Sequence, residues 1–364
     1  MTQKFAIIVV SYGHARFLPA LFASLDKMAY PKDAVKIWML DTGAPGDDSY
    51  GVVRGLLDAN RTATKSGFSC ALIKSPSNRG FAGGNNDCMV QALAEGYDWL
   101  FLLNPDTEIA PETLTKLAAA TGDPQVGCMQ PLMVLHPDTD RVNSVGNAIH
   151  YLGMSYCDGY RLKRDDPRLA PFMKSRDLVS VSGAAMVLNA AAVRAIGMLD
   201  EALFAYHEDV ELSWRLRLAG WKLRFVPDAV IWHKYEFSRS ITKYYWMERN
   251  RFLVMLMCYS AATFVLIAPM LLALEIGMLP FALLKGWGKE KFRVYAYFLK
   301  SAHWRALFVV RRRNQKLRKI SDRIITRDFA TVVAYQEVDS PVLRYIGNPV
   351  MTLYWKLCRL VLWW

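Results

Sequence analysis

Four largely apolar runs, at residues 5–10, 35–40, 69–73 and 99–103, recur along the first third of the chain, and stretches of helical length (16–28, 49–59 and 83–95) separate them. Strands buried on both faces read as near-continuous apolar runs, and their alternation with helices predicts βαβ units around a parallel sheet. Polar residues stand where these runs stop. The first is followed by Ser11-Tyr12, the second by Asp41, and the fourth by Asn104-Pro105-Asp106. Pro105 cannot extend a sheet, so Asp106 is expected where strand turns into loop. Open α/β sheets bind ligands at the carboxyl ends of their strands. Polar groups delivered to that edge predict a site for a small polar ligand together with a metal ion.

Further along, residues 108–178 are less regular, and the polar, proline-bearing segment 161–171 is expected to form a loop over the site. Strands are expected at 179–188 and 224–232. A helix at 208–218 should lie between them, stopped by Ala219-Gly220. The boundaries this suggests are an α/β domain over residues 1–250 and a helical, basic region over 251–364.

Of the 364 residues, 53% are apolar, and the excess gathers after Asn250. Residues 252–274 carry no charge; as a helix they would measure about 35 Å, against about 30 Å of bilayer hydrocarbon. From Lys285 to Arg327 there are fourteen Lys or Arg and only Glu290 and Asp322 in opposition, so this block accounts for the whole net charge of +12. A single crossing would export that block, against the positive-inside tendency, and Pro269 and Pro280 are expected to break the helix. The expectation is therefore helices that lie in or re-enter an anionic membrane surface, on the cytoplasmic face, in a peripheral or monotopic manner. Charge confined to one block next to an apolar segment speaks against nucleic acid as a partner. Six scattered cysteines without paired spacing predict neither disulfides nor a zinc site. No basic n-region with an apolar core and cleavage site precedes the first strand, so no signal peptide is expected.

Four segments carry candidate chemistry. The turn Asn78-Arg79-Gly80-Phe81-Ala82-Gly83-Gly84-Asn85-Asn86 has three glycines and a fixed positive charge, and N–H groups opening the next helix suit a phosphate. Asp106 is the candidate for a hard divalent cation, with Glu108 close by; an Asx turn is the plainer alternative. Tyr206-His207-Glu208-Asp209-Val210-Glu211 puts three acids at a helix start. The macrodipole and an i,i+4 pair between Glu211 and Arg215 account for some of them but not for the adjacent Glu208-Asp209, which suits a general base. His233 closes the last apolar strand and could complete the coordination begun by Asp106.

Together these segments resemble the family-2 glycosyltransferases, in particular the rhamnosyltransferase-like branch, from Phe5 to about Tyr259. The markers are Val9-Val10-Ser11-Tyr12, residues 78–86, Leu103-Asn104-Pro105-Asp106, Ser182-Gly183-Ala184-Ala185-Met186, the segment from Tyr206 through Leu212, Val226-Pro227-Asp228 with His233, and Arg249-Asn250. The resemblance implies a GT-A fold (a Rossmann-like, mostly parallel sheet with helices on both faces), a nucleotide-diphosphate sugar donor, a divalent metal (Mg²⁺ or Mn²⁺) and inversion at the anomeric carbon. It implies Asp209 as the base, with Glu208 beside it, and Asp106 with His233 on the metal. Ser11 and Asp41 would meet the base and ribose with help from Arg79, and Gly183 and Ala184 would line the cleft. Tyr12, Asn78, Gly83, Asn85 and Asn104, which stand in the matched motifs, complete the expected donor-binding set. Two departures are present: Asn104 replaces the first acid of the Asp-x-Asp motif, and Asp41-Thr42-Gly43-Ala44 replaces the usual Asp-Asn-Ala/Gly-Ser. A saccharide, expected to be lipid-linked, would be the acceptor in cell-surface polysaccharide synthesis. The rivals are an inactive membrane-bound scaffold and a nucleotidyltransferase; the single glycine after the first strand argues against the latter.

Overall fold

The computed structural model describes residues 2–235, 241–334 and 341–364, with the backbone alone for 241 and 242. Two compact units divide the chain. The first comprises Met1–Asn147, Cys157–Leu216 and Trp221–Glu236, the second Ala148–Tyr156, Arg217–Gly220 and Phe237–Trp364. The expected boundary at 250 therefore runs inside a helix.

The first unit is built on β1 (Phe5–Ser11), β2 (Val35–Asp41), β3 (Ser69–Lys74), β4 (Trp99–Leu103), β5 (Thr107–Ile109), β6 (Val126–Leu135), β7 (Val142–Ser144), β8 (Arg176–Asp177), β9 (Ala185–Asn189) and β10 (Lys222–His233). Along the sheet the order is β8-β10-β6-β9-β4-β1-β2-β3, with β5 paired to β10 and β7 to β6. Strands β4, β1, β2 and β3 run parallel, as their unbroken apolar runs require. Helices α1 (Leu18–Leu25), α2 (Ser49–Leu56), α3 (Gly80–Ala94), α4 (Thr113–Ala119), α5 (Ala190–Ile196) and α6 (Glu208–Leu218) complete it. Phe5, Ile7, Val9, Ile37, Met39, Phe101 and Leu103 sit fully or almost fully buried in one core with Leu18, Leu21 and Phe22 of α1.

Three expectations need correction. Residues 108–178 contain a ten-residue interior strand, β6, fully buried over nine of its residues. Gly127 and Pro131 disguise it in the sequence. A Cβ at Gly127 would stand 2.8 Å from that of Trp221, so only glycine lets the strand pass. Pro131 has no N–H to give, and the β6–β10 register slips there, pairing Val226 with Pro131 and Val230 with Leu132. Second, the strand expected at 179–188 starts only at Ala185, because Ser182-Gly183 turn outside the ladder. Third, β9 is antiparallel to both β4 and β6, so the sheet is mixed.

The second unit is helical: α7 (Ile241–Cys258), α8 (Ala261–Leu284), α9 (Gly288–Phe298), α10 (Ser301–Leu317), α11 (Asp322–Ile325) and α12 (Asn348–Val361). The prolines expected to break it do not, for α8 runs unbroken through Pro269 and Pro280. It is long and apolar enough to cross a membrane by length and composition. In its second half it carries Glu275, which pairs with Arg251 of α7 at 2.5 Å and Lys291 of α9 at 2.7 Å, and Glu248 of α7 pairs with the same two cations. Two acids and two bases therefore neutralise each other among three packed helices.

Candidate active site

The ends of β1 and β2 form one part of the sheet's rim. Ser11 is fully buried, with its Oγ 2.7 Å from Ser49 Oγ, and its carbonyl accepts the N–H and the hydroxyl of Thr42. Asp41, also buried, accepts the N–H of Gly43 at 2.9 Å and of Tyr50 at 3.2 Å. These two residues brace the β2 loop against the start of α2. Of the expected donor-binding residues at these two strand ends, Ser11, Tyr12 and Asp41, only Tyr12 is exposed.

The glycine-rich segment differs from its expected role. Gly80 through Asn86 form the opening turns of α3 rather than a loop ahead of it. Asn78 Oδ1 accepts the Gly80 N–H at 2.8 Å, and Phe204 O accepts that of Ala82 at 3.1 Å, so two of the four orphan donors of this helix already have protein acceptors. The glycines serve packing. At Gly80 (φ +70°) a Cβ would meet Phe204 O, and at Gly84 it would stand 2.8 Å from Val10 Cγ1 of β1. At Gly83 the obstruction is Arg79 itself. Asn85 bonds back to Phe81 O, and Asn86 exchanges hydrogen bonds with Leu199. The Arg79 guanidinium is held by Asp87 and Glu201, so its charge is shared with two carboxylates.

Asp106 and His233 do come together. Asn104 O accepts the N–H and hydroxyl of Thr107, closing a tight turn after β4. β5 then pairs with β10 in a register that puts His233 opposite Thr107. His233 Nε2 stands 3.4 Å from Asp106 Oδ1, a buried oxygen with no hydrogen-bond donor, and the other ring nitrogen, Nδ1, is 3.0 Å from Asn143 Oδ1. With Asn143 Oδ1 accepting the Nδ1 proton, the Nε2 lone pair faces the carboxylate, an arrangement that a cation between the two atoms would satisfy. One carboxylate oxygen and one oriented imidazole fit a divalent ion whose other ligands are phosphate and water oxygens. Among the described residues no cluster of three or more His, Cys, Asp or Glu is suited to a metal, so such an ion would rest on these two. Burial works to raise the Asp106 pKa, but the close approach of His233, and the charge of His14, outweigh it and hold the carboxyl below its usual range. Glu108 is occupied elsewhere, 2.7 Å from Lys234 Nζ.

The Glu208-Asp209 pair opens α6, and the backbone before it is strained. Phe204, Tyr206 and His207 all have φ between 63° and 68°, a region that costs a non-glycine residue about 1 kcal/mol or more. Asp209 Oδ2 accepts the Gly183 N–H at 2.9 Å, and Oδ1 accepts its neighbour's, Val210 N–H, at 2.8 Å. A Cβ at Gly183 would lie 3.4 Å from that of Asp209, an ordinary contact, so the carboxylate's approach is set by the backbone hydrogen bond and not by the missing side chain. Glu208 is buried and its Oε2 has no donor. Burial, then the charge of Asp209, pushes the Glu208 pKa well up, and burial raises that of Asp209 against the pull of its backbone N–H donors. Behind them the predicted i,i+4 pair is present and fully buried: Arg215 Nη2 lies 2.8 Å from Glu211 Oε2, and Arg215 also donates to Ile196, Gly197 and Met198 carbonyls.

A short path joins the two centres. Gly183 N–H binds Asp209, and the next residue, Ala184, accepts the Asn104 N–H at 2.9 Å, two residues before Asp106. Sequence reasoning missed two contributors. His14 lies in the strand-end loop after Tyr12 and was legible by position; Asn143 has no local signal, because only the fold carries β7 to His233.

A mixed sheet with both carboxylates on its rim is the architecture of a GT-A glycosyltransferase. The chain belongs to the glycosyl transferase family group 2, whose model matches residues 99–302, and is rhamnosyltransferase-like. It is 25% identical over 249 residues to the N-acetylglucosaminyl-diphospho-decaprenol L-rhamnosyltransferase of Mycobacterium tuberculosis, covering 64% of this chain and 76% of that one. A pre-mycofactocin glycosyltransferase of the same species is 26% identical over 167 residues, or 44% of this chain and 32% of its own length. Among solved structures, GalNAc-T7 with UDP, GalNAc and Mn²⁺ matches with a TM-score of 0.55 at 16% identity, over 81% of this chain and 55% of that one. The mannosyltransferase PcManGT from Pyrobaculum calidifontis, with GDP-Man and Mn²⁺, gives 0.53 at 14% identity over 87% of both chains. These structural likenesses concern the fold.

Proposed function

We propose that this glycosyltransferase moves a sugar, rhamnose being the first candidate, from a nucleotide-diphosphate donor to a lipid-linked saccharide, with inversion at the anomeric carbon. The observation that carries the reading is the hydrogen-bonded path from Asp209 through Gly183 and Ala184 to Asn104 and Asp106. It sets one carboxylate for deprotonation near another suited to a cation. Asp209 takes the proton of an acceptor hydroxyl; that oxygen bonds to the anomeric carbon from the face opposite the nucleotide; and the bond to the diphosphate breaks, its electron pair leaving with the nucleotide. Burial suits Asp209 to this work by raising its basicity. Burial, then the charge of Asp209, favours the protonated form of Glu208 beside it. Asp106 and His233 would hold Mg²⁺ or Mn²⁺, which when bound supplies positive charge against the departing diphosphate. Tyr12 remains the exposed candidate for the nucleotide.

The helical unit supports docking at an anionic membrane surface, on the cytoplasmic face. Val265, Leu272, Ile276 and Leu283 of α8 are all more than half exposed, and their spacing of seven, four and seven puts them on one stripe. Val350, Leu353, Leu357 and Leu360 make a second stripe on α12. Tyr354 binds Leu266 O at 2.7 Å, so the two helices pack together. Exposed Lys285, Lys289 and Lys356 flank these stripes with charge for acidic headgroups. Docking would raise the effective concentration of a lipid-linked acceptor.

The test is a panel of nucleotide sugars with Mn²⁺ and a membrane extract as acceptor. Rhamnose should pass from its nucleotide into the solvent-extractable lipid fraction. Transfer confined to water-soluble sugars, or from a different donor alone, would overturn the acceptor or the donor assignment respectively.

A further inference from the structure

A pocket of about 390 Å³ opens beyond the ends of β6 and β10, lined by His136, Asp138, Arg141, Tyr160, Arg161 and Tyr235. It shares a wall with the metal candidate. The Tyr235 ring lies 5.4 Å from that of His233, and His136 N–H donates to His233 O. We propose that this pocket is the acceptor subsite and takes a saccharide carrying an anomeric phosphate or diphosphate; the proposal rests on the glycosyltransfer reading above.

Three observations support it. The first is the chemistry of the lining. Tyr160 and Tyr235 meet edge to face, with centroids 5.8 Å apart, and offer aromatic faces to the C–H face of a sugar ring. Arg141 and Arg161 form no ion pair among the described residues; Arg141 spends Nη1 on Arg161 O, and the remaining guanidinium N–H groups suit phosphate oxygens, for which a guanidinium is the best-matched side chain. Asp138, an acceptor on the same wall, suits sugar hydroxyls.

The second is how Arg161 is held. Its φ is +61°, a left-handed conformation that a side chain adopts at a cost, and the strand edge enforces it: Arg161 N–H donates to Val142 O, and Arg141 Nη1 donates to Arg161 O at 2.8 Å. The guanidinium rests over the Tyr160 ring at 5.2 Å. Glycine would meet the backbone demand without strain, yet arginine stands there.

The third is position along the sheet. The order β10-β6-β9-β4-β1-β2 ranks the groups: pocket at β10 and β6, together with the Asp106–His233 pair that β5 carries across to β10, then Gly183 with Asp209 ahead of β9, and Tyr12 after β1. Each step is about 4.8 Å, so the base lies between the pocket and the proposed nucleotide side, and the cation candidate adjoins the pocket. Two substrates that must meet at one carbon require that arrangement.

The test titrates the full-length protein calorimetrically with N-acetylglucosamine 1-phosphate, N-acetylglucosamine, inorganic phosphate and, separately, UDP with Mn²⁺. The sugar phosphate should bind at least tenfold more tightly than the free sugar or phosphate. Arg161→Gly, which relieves the backbone and should melt no lower than wild type, should weaken sugar-phosphate binding at least tenfold and leave UDP binding within twofold. Tyr160→Ala should weaken the sugar phosphate but not phosphate alone. Equal weakening of UDP would hand the pocket to the donor; phosphate binding as tightly as sugar phosphate would reduce it to an anion site; unchanged binding in Arg161→Gly would remove the assignment. Loss of UDP binding by wild type would instead count against the glycosyltransfer reading itself.

Discussion

Replacing Asp209 with Asn tests the base directly, and the structure bounds both consequences. General-base catalysis contributes about 10²- to 10⁴-fold in rate, or about 3–5 kcal/mol of barrier. Asn has almost the shape of Asp but one acceptor oxygen, and Asp209 accepts two backbone N–H groups, from Gly183 and Val210. One of them would then face an amide N–H₂, costing about 1–3 kcal/mol of stability. The substitution also removes a charge that burial disfavours, and that returns about 1.4 kcal/mol for each unit by which the pKa is raised. These opposed terms leave a small net change in stability, whereas nothing offsets the rate loss. Initial rates at saturating donor should therefore fall at least 100-fold, while UDP binding stays within a few-fold and the melting temperature within a few degrees. A folded Asp209→Asn protein turning over within tenfold of wild type would refute the base assignment and with it the direct displacement.

Asp106→Ala should cost at least tenfold in Mn²⁺-dependent UDP affinity, and Asn143→Ala about 10- to 100-fold, by releasing the His233 ring; calorimetry with Mn²⁺ and with EDTA reads both. Glu208 gives a signed pH effect. Its folded pKa lies well above the ordinary glutamate value of 4.5, so its contribution to stability is full below that unfolded value and is lost as pH rises through the folded one. Glu208→Gln should therefore gain stability relative to wild type as pH rises above about 4.5 and should flatten the melting-temperature profile over that window. In the helical unit, Lys291→Met would strand Glu248 and Glu275, whose side chains are only 10% and 12% exposed, with a single guanidinium between them. A loss of about 3–5 kcal/mol is expected by urea unfolding, and a loss under 1 kcal/mol would show that the network contributes nothing.

Residues 5–103 were legible because parallel strands buried on both faces must be apolar throughout, a pattern local enough to read directly. Where each run stops was equally plain, so Ser11, Asp41, Asn104 and Asp106 could be placed on one sheet edge before any coordinates. The helix at Glu208–Leu218 and its internal Glu211–Arg215 pair follow from spacing alone. β6 was hidden because Gly127 and Pro131 contradict strand propensity, and both are tolerated only through what faces them: the Trp221 side chain and a slipped register in β10.

The roles of several residues turned on tertiary contacts that no local pattern encodes. Glycines 80, 83 and 84 looked like a phosphate cradle, but neighbouring backbone and side chains claim the space a Cβ would need, and protein acceptors already claim two of the N–H groups. Local chemistry thus set which residue types reach the sheet's rim, since burial period and strand termination are short-range. Which of them meet was decided by pairing across the sheet: the antiparallel insertion of β9 brings Gly183 and Asp209 beside β4, and the β5–β10 register sets His233 against Asp106. Residues more than a hundred positions apart can be brought together only by the closed hydrogen-bond ladder, whose register is a property of the folded chain.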